Sequence, residues 1–367
     1  MINYYNIDKE FKRIKNVFFK SVEKECSSGN FILGQNLYKF EKNLSKLLGS
    51  KYVLGVANGT DALELAMMSL GIGNNHEVIT APNSFVSTAN AIVNVGAKPV
   101  FVDIDNSFNI DPDKLIKKIT KKTKAIIPVH LNGFPACMKK INLIAKKYNL
   151  YVIEDAAQSI LAKIGKKYTG TLGDIGCFSL HPTKNLGAIG DAGFVTTQNK
   201  NIYEKIKFIR NHGLRKFDET ILIGRNSRLD EIQAIALNLK LKYLKSDTKK
   251  KINLAKVYYS NLANINSIIL PLQSCCQDTK HVYHRFVIRC LKKRDKLYRH
   301  LLSKGVQVKI HYSRNIHLQK SFRNLSSNNG LNKVDNYSKQ ILSLPINQFN
   351  TKREIEKVCK LISDFYS

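Results

Sequence analysis

"KYVLGVANGTDALELAMMSLG", residues 51–71, reads as an apolar strand, a polar turn and a helix in immediate succession. KYVLGVA is the continuous apolar run of a strand covered on both faces. Asn58-Gly59-Thr60 makes the turn, and TDALELAMMSLG is built from good helix formers. The same alternation continues outward. EVITAP, KPVFVDI, AIIPVHL and YVIED read as strands, and SFVSTANAIVNVG, DPDKLIKKIT and MKKINLIAKKYN read as the helices between them. CFSL and GFVTT follow as two further short strands. Strands alternating with helices predict an α/β protein with a mostly parallel, doubly wound sheet. Such sheets bind ligands beyond the carboxyl ends of their strands.

On either side of this block the pattern changes. Residues 1–25 form an amphipathic helix with Phe11, Ile14, Val17, Phe18 and Val22 on one face. NIYEKIKFIRNHG and RLDEIQAIALNLKLKYLKSDTKKKINLAKVYYSNL are helical and lead into a smaller C-terminal α+β domain with strand candidates HVYHRFVIRC and GVQVKIHY. The expected division is a large domain over residues 1–250 and a small one over 251–367. A chain of 367 residues is long enough for two such cores.

Composition narrows the function. Apolar residues make up 43% and charged residues 24%, as in ordinary globular proteins. No apolar run reaches the ~20 residues of a membrane span, and the N-terminal segment lacks the core of a signal peptide. The expected location is cytoplasmic, with no membrane partner. Seven scattered cysteines, with Cys275 and Cys276 adjacent and no C-x-x-C, read as reduced thiols. The net charge of +31 fits a lysine-rich solvated surface, and also an acidic small molecule such as a diphosphate. No basic run is interleaved with aromatics and no nucleic-acid motif accompanies the charge, so no nucleic-acid partner is expected.

The chemistry gathers in three places. Gly59 and Thr60 present backbone N–H groups and a hydroxyl at a helix start, which suits a phosphate and equally an ordinary helix cap. Glu154-Asp155 ends a strand where an α/β protein places its ligand; a carboxylate there suits a metal, a proton transfer or a cationic heterocycle, and equally a cap. Lys184, in FSLHPTKNLGAIGDAG (178–193), is the only Lys or Arg between Tyr168 and Asn199. A weakly polar setting is what a lysine nucleophile needs, because loss of water and of neighbouring charge lowers its pKa. Neither G-x-G-x-x-G nor G-x-x-x-x-G-K-[ST] occurs. Lysine, aspartate and phosphate-binding helix end together match the needs of pyridoxal 5′-phosphate: an aldehyde partner, an anion facing the ring nitrogen and a phosphate cup. His281 and His284, at i and i+3 of a strand candidate, face opposite sides, so no metal site is expected.

At this point the chain resembles the DegT/DnrJ/EryC1/StrS sugar aminotransferases over nearly its whole length. The resemblance is carried by NGTDAL, PNSFVSTANAI, GAKPVFVDID, AIIPVHLNG, VIEDAAQS, GDIGCFSLHPTKNLGAIGDAG, RNHG, NSRLDEIQA, HVYHRFVIR, IHY and LSLP in family order. It implies the aspartate-aminotransferase-like fold (pyridoxal-phosphate fold type I), with a large, mixed, mostly parallel sheet domain and a smaller α+β domain. It also implies a homodimer with shared active sites. By position, Lys184 would hold the cofactor covalently, Asp155 would face its ring nitrogen and Gln158 its phenolic oxygen. Phe85 would stack on the ring; Gly59, Thr60 and Ser179 would hold the phosphate; Asn226 would reach the neighbouring subunit's phosphate. His311 and Tyr312 would meet the nucleotide sugar. Arg225 stands where many relatives have an aromatic, and either meets the substrate diphosphate or faces solvent.

The implied reaction moves an amine from L-glutamate to a nucleotide-linked keto sugar, with Lys184 as acid and base. Gly190-Asp191-Ala192-Gly193 resembles the pattern of the family's C-3 enzymes. The expected substrate is therefore a dTDP-3-keto-6-deoxyhexose and the product a 3-amino-3,6-dideoxy sugar of the kind used in surface polysaccharide. The alternatives are amination at C-4 and a cofactor-binding regulatory protein without chemistry.

Overall fold

The computed structural model describes residues 1–274, 278–325 and 329–367; the adjacent pair Cys275 and Cys276 lies outside them. A seven-stranded sheet organises the chain. Its strands are β1 (Tyr52–Val56), β2 (Glu77–Thr80), β3 (Lys98–Phe101), β4 (Thr123–Ile127), β5 (Tyr151–Asp155), β6 (Ile175–Ser179) and β7 (Gly193–Thr197), in the order β1-β7-β6-β5-β4-β2-β3. β7 runs antiparallel to both its neighbours, while β6, β5, β4, β2 and β3 pair in parallel. Alternation of strands with helices did not disclose this reversal, because no helix separates β6 from β7. The two strands are instead joined by the 180–192 excursion that carries Lys184.

Helices cover both faces. α1 (Ile7–Ser27) and α2 (Gln35–Leu48) precede the sheet; α3 (Gly59–Ser69), α4 (Ser87–Asn94), α5 (Met138–Tyr148) and α6 (Lys200–Ile209) alternate with it; α7 (Glu231–Leu241) and α8 (Leu244–Leu262) follow. Asn58 caps α3, its side chain accepting from the Asp61 N–H at 2.9 Å, and the helix stops at Leu70–Gly71, where Gly71 takes φ +68°. Ala62, Leu63, Leu65, Ala66 and Met67 of α3 are buried against β1, β5, β6 and β7. On α1, Ile14 and Phe18 are buried as expected, but Val17 is exposed along with Phe19. The helix thus presents a narrower inward stripe than its sequence suggested.

A second, antiparallel sheet is formed by β8 (Ile268–Ile269), β9 (Phe286–Cys290) and β10 (Ile341–Leu344), in the order β8-β9-β10. α8, α9 (Arg294–Ser303) and α10 (Lys352–Tyr366) pack on it. Tyr258 of α8 stacks on Phe286 at 4.5 Å and donates its hydroxyl to the Pro345 carbonyl at 2.8 Å. The expected boundary at 250/251 falls inside α8. Leu244 belongs to the core around β6 and β7, whereas Leu254, Tyr258 and Leu262 belong to the core of the second sheet. The chain then returns, and Ile316, Phe322, Leu331 and Val334 pack with Phe101, Ile104 and Ile126 of the first unit.

Two strand expectations differ from the fold. HVYHRFVIRC is extended only from Phe286, because the Val282 and Arg285 N–H groups turn to the carbonyls of Gly133 and Asn132. GVQVKIHY forms no strand. Val306 and Val308 are buried, but its ladder is limited to a bridge to Ile2 and another, at Lys309, to Ser343.

Candidate active site

A cavity of about 600 Å³ opens at the carboxyl ends of the central strands. Asp155 ends β5, Ser179 ends β6, Gly59 and Thr60 begin α3, and Phe85 precedes α4; all of them line the cavity together with Gln158 and Lys184. Because neighbouring residues of a strand point to opposite faces, Glu154 and Asp155 take different tasks. Glu154 is fully buried. It accepts backbone N–H groups of Gly170 (2.7 Å), Leu172 (2.6 Å) and Gly173 (2.7 Å) and meets His130 Nε2 at 2.8 Å. Asp155 faces the cavity, where it accepts from Thr88 Oγ1 at 2.7 Å and from the Ala157 N–H at 3.2 Å.

Lys184 is half-buried between this cavity and a smaller chamber walled by Tyr4, Lys251 and His284. Burial pushes its amine down to about 8, the Arg285 guanidinium adds to the effect, and Asp155 works against it. An amine with this pKa is nucleophilic near neutral pH.

The residues present fit pyridoxal phosphate on four counts. A Cβ on Gly59 would lie 2.6 Å from Ser179 Cβ, so the start of α3 and the end of β6 approach as a close cradle that only glycine permits. The cap consumes the Asp61 N–H and leaves those of Gly59 and Thr60 at the helix start to face an anion. Gln158 Oε1 accepts from the Asn132 N–H at 2.9 Å and from Arg285 at 3.3 Å, which leaves its amide N–H₂ to donate to an oxygen of the ring. Asp155, facing the cavity, would supply the anion for a protonated ring nitrogen.

Other positions differ. Tyr312 lines the cavity with its ring 5.9 Å from that of Phe85, but His311 turns away, its Nδ1 2.9 Å from Ser343 Oγ. Burial, with Arg285 and Lys309, holds the His311 imidazole far below its ordinary pKa. Arg225 lines the cavity and is paired with the buried carboxylate of Glu64, whose other oxygen accepts from Asn94 Nδ2 at 2.7 Å. One of its guanidinium nitrogens is thus paired, while 40% of the side chain stays exposed at the cavity. Asn226 is exposed and bridges Asn211 outside this cavity. Sequence reasoning missed Thr88 and Arg285. The signal for Arg285 was an arginine inside the apolar run HVYHRFVI.

Known proteins resemble this chain over its whole length. A transaminase for dTDP-3-amino-3,6-dideoxy-alpha-D-galactopyranose from Aneurinibacillus thermoaerophilus is 38% identical over 366 residues, covering 100% of this chain and 99% of the relative. A pleiotropic regulatory protein from Geobacillus stearothermophilus is 37% identical over 98% of this chain and 97% of its own length. The crystal structure of S. venezuelae DesV in complex with a ketimine intermediate superimposes with a TM-score of 0.96 at 31% identity, over 100% of this chain and 98% of DesV. The model of the DegT/DnrJ/EryC1/StrS aminotransferase family matches residues 12–363, and the chain belongs to that family.

Proposed function

We propose that this aminotransferase moves the amine of L-glutamate to the C-3 keto carbon of a dTDP-linked 6-deoxyhexose, acting as a cytoplasmic homodimer. The observation that carries the reading is the placing of the depressed Lys184 amine in one cavity with Asp155, Gln158 and the Gly59–Thr60 helix end. Pyridoxal phosphate, when bound, supplies the electron sink. Asp155, held by Thr88 and the Ala157 N–H, keeps the ring nitrogen protonated. Gln158 orients the phenolic edge, Phe85 covers a face of the ring, and the first turn of α3 with Ser179 fixes the phosphate. Lys184 binds the cofactor and then carries the proton at its Nζ. Amination at C-3 is supported by the Gly190-Asp191-Ala192-Gly193 motif and by the names of relatives that handle 3-amino sugars.

Dimerisation is supported by apolar side chains left on the surface of the N-terminal region, Phe19, Phe31, Ile32 and Leu33, and by Phe217 and Ile223, both at least nine-tenths exposed in the segment that leads to Asn226. In a dimer Asn226 reaches the partner's phosphate site. The test is the visible spectrum of the purified protein before and after L-glutamate, beside Lys184→Ala. A yellow wild type bleached by glutamate and a variant without that response support the reading, and NMR of the sugar product fixes the carbon. A protein that stays colourless with added pyridoxal phosphate overturns it.

A further inference from the structure

We propose that Arg285 is the carboxylate-binding residue for the amino donor: its guanidinium receives the α-carboxylate of the amino acid whose amine is released beside Lys184. The inference rests on the aminotransferase reading above and adds the donor's binding site to it.

Arg285 is 6% exposed and lines the same cavity as Lys184. Among the described residues it has no carboxylate partner. Its neighbours are neutral: Gln158 Oε1 at 3.3 Å, the Tyr312 hydroxyl at 3.3 Å and the Tyr5 phenol, while its Nε has no hydrogen-bond partner. Arg210, equally buried, shows the ordinary solution: its Nη1 meets Glu41 at 2.7 Å and the Gly55 carbonyl. Burying a guanidinium without a counter-charge is costly, so an unpaired one aimed into a cavity marks a place for an anion. Its planar fork of donors matches a carboxylate in two parallel hydrogen bonds.

The fold holds the group there. The Arg285 N–H donates to the Asn132 carbonyl at 3.3 Å and the Val282 N–H to Gly133 at 3.1 Å, so the 282–285 segment is fixed across the 132–133 turn. Gly133, at φ +89°, admits this crossing, since a Cβ there would lie 2.9 Å from the His284 nitrogen. The choice of anion follows from reach. An α-carboxylate is one carbon from the amine that must meet the Lys184 position, and Arg285 is near enough to Lys184 to act on its charge. The diphosphate of a nucleotide sugar lies several bonds beyond the keto carbon.

The experiment titrates the yellow holoenzyme with α-methyl-L-glutamate, which binds without turnover, and reads the equilibrium absorbance spectrum for wild type, Arg285→Gln and Arg285→Lys. The amine-loaded protein is titrated in parallel with the keto-sugar nucleotide. The expected result is affinity for the amino acid weakened about 30-fold or more in Arg285→Gln, with an intermediate loss in Arg285→Lys and a much smaller loss for the sugar nucleotide, which Arg285 touches only through Tyr312. The wild type alone gives a check independent of the variants' folding: L-glutamate α-amide, whose α-carboxylate is neutralised, binds weaker than L-glutamate by a similar factor. Equal binding of acid and amide, equal binding by wild type and Arg285→Gln, or a loss confined to the sugar nucleotide overturns the proposal and leaves the aminotransferase reading standing. A yellow wild type that responds to no amino acid overturns both.

Discussion

Thr88 Oγ1 donates to Asp155 Oδ2 at 2.7 Å, and Ser84 Oγ stands behind it, 3.0 Å from Thr88 Oγ1. Both serine and threonine lie in PNSFVSTANAI, so the segment that carries Phe85 also orients the carboxylate opposite it. Hydrogen bonds to the ionised form favour it. Thr88→Val removes the donor at nearly constant volume. The expected outcome is a weaker hold on the cofactor and a loss in turnover of about 10-fold or more, from a charge-assisted bond of about 1.5–3 kcal/mol. Cofactor retention on dialysis and kcat measure it, and Thr88→Ser restores most of both.

Glu154 and Asp155 are adjacent in sequence and opposite in consequence. His130 Nδ1 accepts from the Ala136 N–H at 3.0 Å, which assigns the ring proton to Nε2, where it is donated to Glu154. Glu154→Ala strands this proton and three backbone donors. It is expected to destabilise the fold by about 3–5 kcal/mol, read as a lowered melting temperature. Asp155→Ala strands only the Thr88 hydroxyl and one backbone N–H, so it is expected to lower the melting temperature less than Glu154→Ala while reducing turnover by about 10²-fold or more.

Gly59→Ala tests the cradle. The new methyl meets Ser179 Cβ at 2.6 Å and Ser179 Cα at 3.1 Å, so either the start of α3 or the end of β6 must move. A cost of about 1–3 kcal/mol in stability is expected. Loss of pyridoxal phosphate on gel filtration is expected to exceed what that instability explains, because the displaced atoms belong to the proposed phosphate site.

The acidity of Lys184 is expected to show in the covalent capture of pyridoxal phosphate by the apoprotein. Its amine is pushed down to about 8, so the capture rate rises about tenfold per pH unit below that value and levels off above it. Lys251, whose Nζ donates to Asn185 Oδ1 at 2.8 Å, is pushed down by burial to about 7. Unfolded lysine stays protonated to about 10.4. Between these limits the unfolded chain binds more protons than the folded one, so stability rises with pH. Melting of the apoprotein between pH 7 and 9 is expected to show the rise, and Lys251→Met to reduce it, leaving the share that Lys184 contributes above pH 8.

Much of this arrangement was legible in residue order. The strand of YVLGV and the cap at Asn58 are local signals, and Lys184 stood out as the only Lys or Arg between Tyr168 and Asn199. What could not be read depends on contacts distant in sequence. The reversal of β7 rests on pairing with β1, more than 130 residues away, which leaves no periodic trace. HVYHRFVIRC has the alternation of a strand, yet its first half spends its hydrogen bonds on Asn132 and Gly133, so Arg285 enters a cavity instead of a ladder. His311 and Tyr312 are neighbours whose side chains part, one to Ser343 and one to Phe85. Arg225 acquired a counter-charge from Glu64, on a helix 160 residues earlier, which no local pattern announces.

The edge position of β1 also bears on how the chain is made. Among the described strands its sole neighbour is β7, Val56 facing Gly193. At about 5–20 residues per second, roughly 7–27 seconds of synthesis separate the emergence of one from the other. Through that interval YVLGV is an apolar ribbon with unsatisfied backbone on both sides, the kind of segment that a holding chaperone captures. Ribosome-stalled chains ending before Gly193 should therefore be held or aggregate, and release should begin with chains long enough to expose Thr197.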